Sequence, residues 1–219
     1  MKVGVLSDIH GNTVALDAVL SDMPPVDELI CAGDIVGYNP WPAECVEFIR
    51  EREVPTVMGN HDRAAAGHSS FGFNSMAGAG VEYARERLSD EQIEFLGTLL
   101  DSRRVFDDRV KIVHGHPNDP NRYTYPADFR PELLGDEEVL VLGHTHIQGH
   151  ESFEEGIVMN PGSVGQPRDG DPRAAYAVLD LAELSVTEHR VSYDIDSVQE
   201  AIREAGLPER IATRLEDGR

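Results

Sequence analysis

Short apolar runs alternate with amphipathic segments through the N-terminal part of the chain. The runs lie at residues 2–7, 29–32 and 54–58, and apolar side chains recur at helical spacing in residues 12–20 and 43–52. Strands and helices that alternate in this way form a sheet with helical crossover connections. The functional residues of such a sheet usually lie in the loops that follow the carboxyl ends of the strands.

The apolar runs follow one another at shorter spacing from residue 110 onward. We predict strands at residues 110–113, 139–142, 156–159, 174–181 and 185–191. This spacing favours a second sheet that is largely antiparallel.

The length and the composition favour one domain. With 219 residues, 40% of them apolar, the chain is long enough to bury a core and short enough to need only one. We therefore predict a single domain over residues 1–219, in which residues 194–217 form a helical tail broken at Gly206 and Pro208.

Three features predict a cytoplasmic protein. The N-terminus, MKVGVLSDIHG, has no apolar segment long enough for a signal peptide. No stretch approaches the roughly 18 apolar residues of a membrane span. Cys31 and Cys45 are the only cysteines, which favours reduced, packed thiols over a disulfide framework.

The charge of the chain limits its partners. Asp and Glu number 40 against 19 Lys and Arg, for a formal net charge of -21 at pH 7. Such a charge repels nucleic acid backbones and anionic membranes, so we expect the protein to bind neither. An anionic substrate must therefore meet positive charge that is local to its site. The oligomeric state is left open by these observations.

Side chains that bind metal ions follow five of the predicted strand ends. They are Asp8, His10, Asp34, Asn60, His114, His144 and His146. One such loop would mean little, but the ends of these elements are expected to converge. A mixture of imidazole, carboxylate and amide groups without thiolate suits Mn, Fe, Zn or Ni.

The number of these side chains favours two metal ions over one. A catalytic zinc site typically uses about three protein ligands, whereas the larger set here suits two ions that share one carboxylate. Two ions about 3.5 to 4 Å apart can activate a water between them and hold a phosphoryl group from two sides. Residues i and i+2 of an extended segment project to the same side, so His144 and His146 can bind one ion together or one ion each.

The order of these motifs resembles that of the calcineurin-like metallophosphoesterases. The matching segments are Asp8-x-His10, Gly33-Asp34, Gly59-Asn60-His61-Asp62, His114-Gly115 and Gly143-His144-x-His146. The segments GDIVGYNP, NPGSVGQPRDGDPRAAYAVLD and YDIDSVQEAIREAGLP are similar to those of a compact bacterial and archaeal phosphodiesterase-like branch. The resemblance implies an α/β fold, a four-layer αββα sandwich of two mixed β-sheets flanked by helices.

The resemblance also implies a role for each candidate ligand. One metal ion would be held by Asp8, His10, Asp34 and His146, and the other by Asp34, Asn60, His114 and His144, with Asp34 as the bridge. A hydroxide that bridges the two ions would attack phosphorus, and His61 would stabilise the phosphoryl oxygens and protonate the leaving oxygen. Of the divalent transition metals we expect Mn, with Fe, Zn or Ni as alternatives.

The resulting prediction is a dimetal-dependent phosphoesterase that hydrolyses small phosphodiesters. The alternatives are a phosphatase acting on phosphoproteins or dinucleoside polyphosphates, and a non-catalytic protein-binding scaffold. The branch with protein phosphatases carries Gly-Asp-x-x-Asp-Arg-Gly, but Gly37 and Tyr38 stand here in place of the second Asp and the Arg, which disfavours the phosphatase. The presence of His61 disfavours the scaffold. Asp62 either orients His61 or caps a helix.

Three further residues are candidates for binding the substrate. Asn12 and Arg168 can donate hydrogen bonds to anionic oxygens, and His116 lies in the segment HGHP beside a proposed ligand. Each has a structural alternative. Asn12 can cap the first helix, Arg168 can pair with Asp169 or Asp171, and His116 can be a supporting or merely exposed histidine.

Overall fold

The computed structural model describes residues 1–67 and 73–219. Within these ranges the strands are β1 (Lys2–Leu6), β2 (Glu28–Cys31), β3 (Ser102–Val105), β4 (Val110–Val113), β5 (Val139–Val141), β6 (Gly149–Ser152), β7 (Ile157–Asn160), β8 (Ala174–Asp180) and β9 (Ser185–Val191). The helices are α1 (Thr13–Asp22), α2 (Pro42–Glu51), α3 (Asn60–Ala65), α4 (Ser75–Arg87), α5 (Asp90–Thr98), α6 (Ile195–Glu204) and α7 (Glu209–Asp217). Two short 3-10 helices, Pro126–Asp128 and Pro131–Leu133, lie between β4 and β5.

The strands form two mixed sheets. One sheet has the strand order β2-β1-β8-β9, and the other has the order β3-β4-β5-β7-β6. Strands β1 and β2 run parallel, as do β4, β5 and β7, whereas the remaining neighbours are antiparallel. The predicted α/β fold with two mixed sheets flanked by helices is therefore confirmed.

The pairing of the strands after residue 110 differs from the prediction. Strands β8 and β9 belong to the sheet that contains β1, and the other sheet is not largely antiparallel, because β4, β5 and β7 are parallel. The connection between β4 and β5, residues 114–138, is long enough to cross over and return in the same direction. Residues 54–58 form only isolated bridges instead of the predicted strand, and Pro55 provides no N–H for a strand ladder.

Alternating side chains of the strands fill separate layers of the core. Val5 of β1 and Ile112 of β4 pack between the two sheets. Leu6, the next residue of β1, packs on the opposite face against Leu16 of α1. Phe129, next to the first 3-10 helix, belongs to a cluster on the outer face of the second sheet. Both faces of each sheet are thus covered, as the period of two residues in a strand requires.

The predicted helical tail forms α6 and α7. The break falls at Gly206, where φ is 72°, and at Pro208, which precedes the first turn of α7. Buried Ile202 of α6 and Ile211 of α7 lie in one apolar cluster with Tyr38. The tail therefore packs on the loop that follows β2. That residues 1–219 form one domain stays a prediction.

Two expectations from composition can be compared with the structure. Cys31 and Cys45 are free and buried, as expected for packed thiols. Among the helices of residues 1–67 and 73–219, none combines the length and the apolar character that crossing a membrane would require.

Candidate active site

The loops after β1, β2 and β5 bring together a first group of potential metal ligands. Asp8, His10, Asp34 and His146 are buried, and one ligand atom of each lies within 4.8 Å of the others. The Nε2 atoms of His10 and His146 are 3.1 Å apart, and Nε2 of His146 is 3.2 Å from Oδ1 of Asp8. The ends of strands from both sheets thus converge, as predicted.

A second group shares Asp34 with the first. Asp34, His114 and His144 also place one ligand atom each within 4.8 Å of the others. Nε2 of His114 lies 3.3 Å from Oδ2 of Asp34 and 3.2 Å from Oδ1 of Asn60. All seven side chains that the sequence nominated as ligands therefore lie in two adjoining groups, with the carboxylate of Asp34 between them.

Hydrogen bonds behind the rings orient the imidazoles. Nδ1 of His10 lies 3.0 Å from the carbonyl oxygen of Val36, and Nδ1 of His146 lies 2.6 Å from that of Gln166. A nitrogen that faces a carbonyl oxygen must carry the proton, so Nε2 of each ring keeps its lone pair and points into the cluster. His114 repeats the arrangement, with Nδ1 2.7 Å from the carbonyl oxygen of Ala32.

Two contacts in the cluster are unfavourable unless a cation lies among these atoms. The Nε2 lone pairs of His10 and His146 face each other, and two acceptors repel at this distance. Oδ1 of Asp8 is buried and has no hydrogen-bond partner among the described residues, which is costly for a carboxylate oxygen. The cluster therefore suits divalent metal ions, and its nitrogen and oxygen donors are those of borderline transition metals.

Burial and charge set the protonation of the cluster. Burial lowers the pKa of His10 and of His146, and it lowers the pKa of His144 to about 4. Burial alone would raise the pKa of Asp34, but the facing imidazoles, first that of His114, hold it well below its ordinary value. Burial opposes protonation of His114 as well, yet Asp34 raises the pKa of His114 to about 9. His10, His144 and His146 are therefore neutral and ready to bind a metal ion beside the ionised Asp34, whereas His114 must release a proton when an ion binds.

His61, the predicted catalytic residue, lies beside the first group. Its ring is 4.7 Å from that of His10 and 4.8 Å from that of Phe73, between centroids, and burial lowers its pKa to about 4. Nδ1 of His61 is buried without a hydrogen-bond partner in the described part of the chain. A Cβ atom at Gly37 would lie 2.3 Å from this nitrogen. Glycine at position 37 therefore makes room for the ring.

Asp62 does not orient His61. Its Oδ1 accepts hydrogen bonds from the main-chain N–H groups of Ile35, at 2.8 Å, and Val36, at 3.2 Å. Its Oδ2 accepts from Gly59 N at 3.0 Å, ahead of α3. Oδ1 thus braces the loop that carries Asp34, and Oδ2 caps the start of α3, which supports the capping alternative.

A cleft of about 520 Å³ opens onto the cluster. Its lining residues are Tyr38, Asn60, His61, Arg63, Phe73, Asn74, Ala77, Asn121, Tyr123, His144, Arg168 and Arg214. Nη2 of Arg168 donates to Gln166 Oε1 at 2.8 Å and to the hydroxyl of Tyr38 at 3.1 Å. Arg168 does not pair with Asp169 or Asp171, because these carboxylates pair with other arginines. Its charge is therefore directed to the cleft.

The other two candidates for substrate binding have structural contacts. Oδ1 of Asn12 accepts from Ala15 N at 3.0 Å, and its Nδ2 donates to Gly165 O at 3.1 Å. Asn12 thus caps α1 and is fully buried. His116 accepts from Asn118 N at 3.1 Å within a turn, and neither residue lines the cleft. A role for Asn12 or His116 in binding substrate stays a prediction.

Three residues of the cleft had no clear signal in the sequence. The ring of Tyr123 stacks on that of His144, with centroids 4.1 Å apart. The carbonyl oxygen of Asn121 lies 3.2 Å from Nε2 of His144, which leaves Nδ1 as the ligand atom of that ring. Arg214 comes from α7, far along the chain from every motif. These residues reach the site through tertiary packing, which local spacing does not reveal.

The fold and the buried cluster together define a metal-dependent phosphoester hydrolase. The sequence model of the calcineurin-like phosphoesterase superfamily domain matches residues 1–184, and the chain therefore belongs to this superfamily. The predicted family and enzyme class are confirmed.

Individual relatives agree with this assignment. The crystal structure of a metallophosphoesterase from Sphaerobacter thermophilus superposes with a TM-score of 0.87 at 37% identity, over 100% of this chain and 99% of that one. The protein MJ0912 of Methanocaldococcus jannaschii is 34% identical over 99% of this chain and 98% of its own length. Phosphodiesterase YfcE of Escherichia coli K12 is 30% identical over 85% of this chain and 91% of its own.

Proposed function

We propose that this protein is a dimetal-dependent phosphoesterase that hydrolyses small phosphodiesters. The observation that carries the proposal is the pair of ligand groups that share Asp34 and open onto one cleft. The similarity to phosphodiesterase YfcE supports a diester substrate. All the donors are nitrogen or oxygen atoms, which suits Mn, Fe, Zn or Ni, and of these Mn is the metal that we propose first.

Each ion has its own set of side chains in this proposal. One ion would be held by Asp8, His10, Asp34 and His146, and the other by Asp34, Asn60, His114 and His144. When bound, such ions activate water as a nucleophile and neutralise charge on the phosphoryl group. The carbonyl groups behind His10, His114 and His146 keep Nε2 of each ring aimed inward, so the ligands are oriented in advance.

The residues around the cluster act on the substrate. His61 is neutral at pH 7 because burial lowers its pKa to about 4, and its ring carries one N–H. That N–H donates a hydrogen bond to an oxygen of the phosphoryl group. To protonate the leaving oxygen, His61 must first take up a second proton, which the negative charge of a bound phosphoryl group favours, and it returns to the neutral form when that proton is transferred. Arg168, which is half-buried and turned to the cleft, offsets the negative charge of the phosphoryl oxygens.

The test combines metal content with turnover. Protein stripped with a chelator and reloaded with Mn²⁺ is assayed on bis-p-nitrophenyl phosphate, p-nitrophenyl phosphate, a phosphopeptide and a dinucleoside polyphosphate. We expect two equivalents of metal and the highest kcat/KM on the diester. His144→Ala and His146→Ala should each lose about one equivalent of metal, from different sites. Glu94 is exposed, and the control variant Glu94→Gln should retain both equivalents. Full occupancy without hydrolysis of either nitrophenyl ester would overturn the proposal.

A further inference from the structure

Two arginines meet at the cleft without an Asp or Glu side chain as partner among the described residues. Arg168 and Arg214 both line it and are half-buried. No Asp or Glu carboxylate of the described residues lies within 4.0 Å of either guanidinium, although the chain has 40 acidic residues against 19 Lys and Arg. Arg63, the third arginine of the cleft, pairs with Asp101. Among the three arginines of the cleft, Arg168 and Arg214 are thus the two that no described Asp or Glu side chain neutralises.

Packing of the tail holds Arg214 in place. Ile211, Ala212 and Leu215 of α7 are buried in the apolar cluster that contains Tyr38 and Ala77 of the cleft wall. A helix anchored through these residues presents the side chain at position 214 to the cleft. Nε of Arg214 donates to the main-chain oxygen of Arg219 at 2.5 Å, which restrains the side chain further.

The end of α7 also docks on the loop that carries Arg168. Gly170 N donates to the carbonyl oxygen of Gly218 at 3.0 Å. Gly218 has a φ of 61°, and a Cβ atom there would lie 2.6 Å from the main chain of Asp171. Only glycine therefore allows this close approach. The fold brings the two arginines together by specific contacts between segments far apart in sequence.

Their proximity has an electrostatic cost. Burial, and next the positive charge of Arg168, lower the pKa of Arg214. Two like charges on a half-buried wall repel each other unless an anion lies between them or beside them. Arg214 also borders a neighbouring surface cavity with Asn74 and Met76, whereas Asn60 and His144, which belong to the second ligand group, line the cleft at the metal centre. Arg214 therefore stands at the outer end of the cleft.

We infer that Arg214 binds a second phosphate of the substrate, one that is not hydrolysed. The inference rests on the proposed function, because Arg168 then binds the phosphoryl group at the metal centre and Arg214 binds the other phosphate. The substrate class is a small phosphodiester that carries an additional phosphate group. Arg214 lies beyond residues 1–184, which match the superfamily domain, so this selectivity comes from the tail and not from the shared fold.

The test uses two substrates that differ by one phosphate. Thymidine 5'-(p-nitrophenyl phosphate) and its 3'-phosphorylated form have the same scissile diester and the same chromophore. We expect the wild-type enzyme loaded with Mn²⁺ to favour the 3'-phosphorylated form by about tenfold in kcat/KM, through KM, because a charge-assisted hydrogen bond contributes on that order. Arg214→Gln should reduce this ratio to within about twofold.

The control is Arg210→Gln, one turn earlier on α7. Arg210 is exposed and does not line the cleft, so this variant removes the same charge from the same helix and should keep the preference. Binding measured by calorimetry gives a readout that is independent of turnover. Thymidine 3',5'-bisphosphate should bind about tenfold more tightly than the 5'-monophosphate to the wild type and to Arg210→Gln, but not to Arg214→Gln.

The outcomes separate the inference from the proposed function. Equal affinity of the wild type for the two nucleotides, or an equal loss on both substrates in Arg214→Gln, overturns the inference even if bis-p-nitrophenyl phosphate is hydrolysed. Selective binding of the bisphosphate without hydrolysis of any diester supports the role of Arg214 and instead overturns the proposed function. Circular dichroism of each variant excludes loss of the fold as the cause.

Discussion

Left-handed backbone conformations shape the metal centre at the level of single residues. Asp8, His10, Asp34, His144 and His146 have φ values of 51°, 50°, 54°, 67° and 58°. Such values are uncommon outside glycine, although Asp and His tolerate them better than most residues. Each costs on the order of 1–3 kcal/mol and persists only where the surroundings enforce it. The tight turns direct the ligands inward directly after the strands.

Residue type and spacing predicted these ligands because metal chemistry restricts the choice of side chain. The same information could not decide between the two roles of Asp62, which depend on where Gly59 and Ile35 place their N–H groups. Nor could it show that Gly37 gives His61 the space in which the ring stands. Contacts between loops decide such roles, and local sequence does not encode them.

A prediction for His61 follows from this arrangement. His61→Ala removes the N–H that we assign to the leaving oxygen but no metal ligand, so kcat on bis-p-nitrophenyl phosphate should fall by about 100-fold or more. The metal content, measured by mass spectrometry, should remain that of the wild type. His150→Ala, which removes an imidazole outside the cleft, is the control. Loss of metal from His61→Ala would show that this side chain is a ligand.

At the level of elements, amphipathic patterns located the N-terminal helices but not the start of α4. The pattern predicts a loop up to residue 80 and a helix over 81–88, yet α4 begins at Ser75, where Asn74 caps Met76 and Ala77. Glycines lower helix propensity, so this segment has the composition of a loop. Tertiary packing stabilises the helix there. The first part of the segment FGFNSMAGAG, up to residue 72, lies outside the described residues.

Two glycines of α4 provide a matched pair of variants. A Cβ atom at Gly80 would lie 2.3 Å from Tyr38 N, whereas one at Gly78 would meet no described atom within 4 Å. Gly80→Ala should therefore lower the free energy of unfolding by about 1–3 kcal/mol and raise KM by displacing the cleft wall. Gly78→Ala should instead raise the free energy of unfolding by about 0.5–1 kcal/mol. Urea denaturation measures both, and equal effects would contradict the close packing of α4 on Tyr38.

At the level of the whole molecule, the metal centre lies where the two sheets meet. Nδ1 of His114, from the second sheet, donates to Ala32 O of the first sheet at 2.7 Å. The main-chain N–H of His144 donates to Oδ2 of Asp8 at 3.1 Å across the same boundary. The order of the motifs predicted that these loops converge. The contribution of the tail was not predictable, because Arg214 reaches the cleft only through the packing of α7.

Removal of the metal should therefore destabilise the fold as well as abolish turnover. Ligands from both sheets converge there, and Oδ1 of Asp8 and the Nε2 atoms of His10 and His146 face one another without a donor. An ion at 100 times its Kd adds about 2.7 kcal/mol to the native state, which for a chain of this size is about 5 to 10 °C in Tm. Calorimetry should show a fall of at least this size after chelation and recovery with Mn²⁺. Asp34→Asn lacks the shared carboxylate, so its Tm should change much less on chelation and reloading. An unchanged Tm in fully stripped wild-type protein would mean that the described contacts hold the two sheets together without an ion.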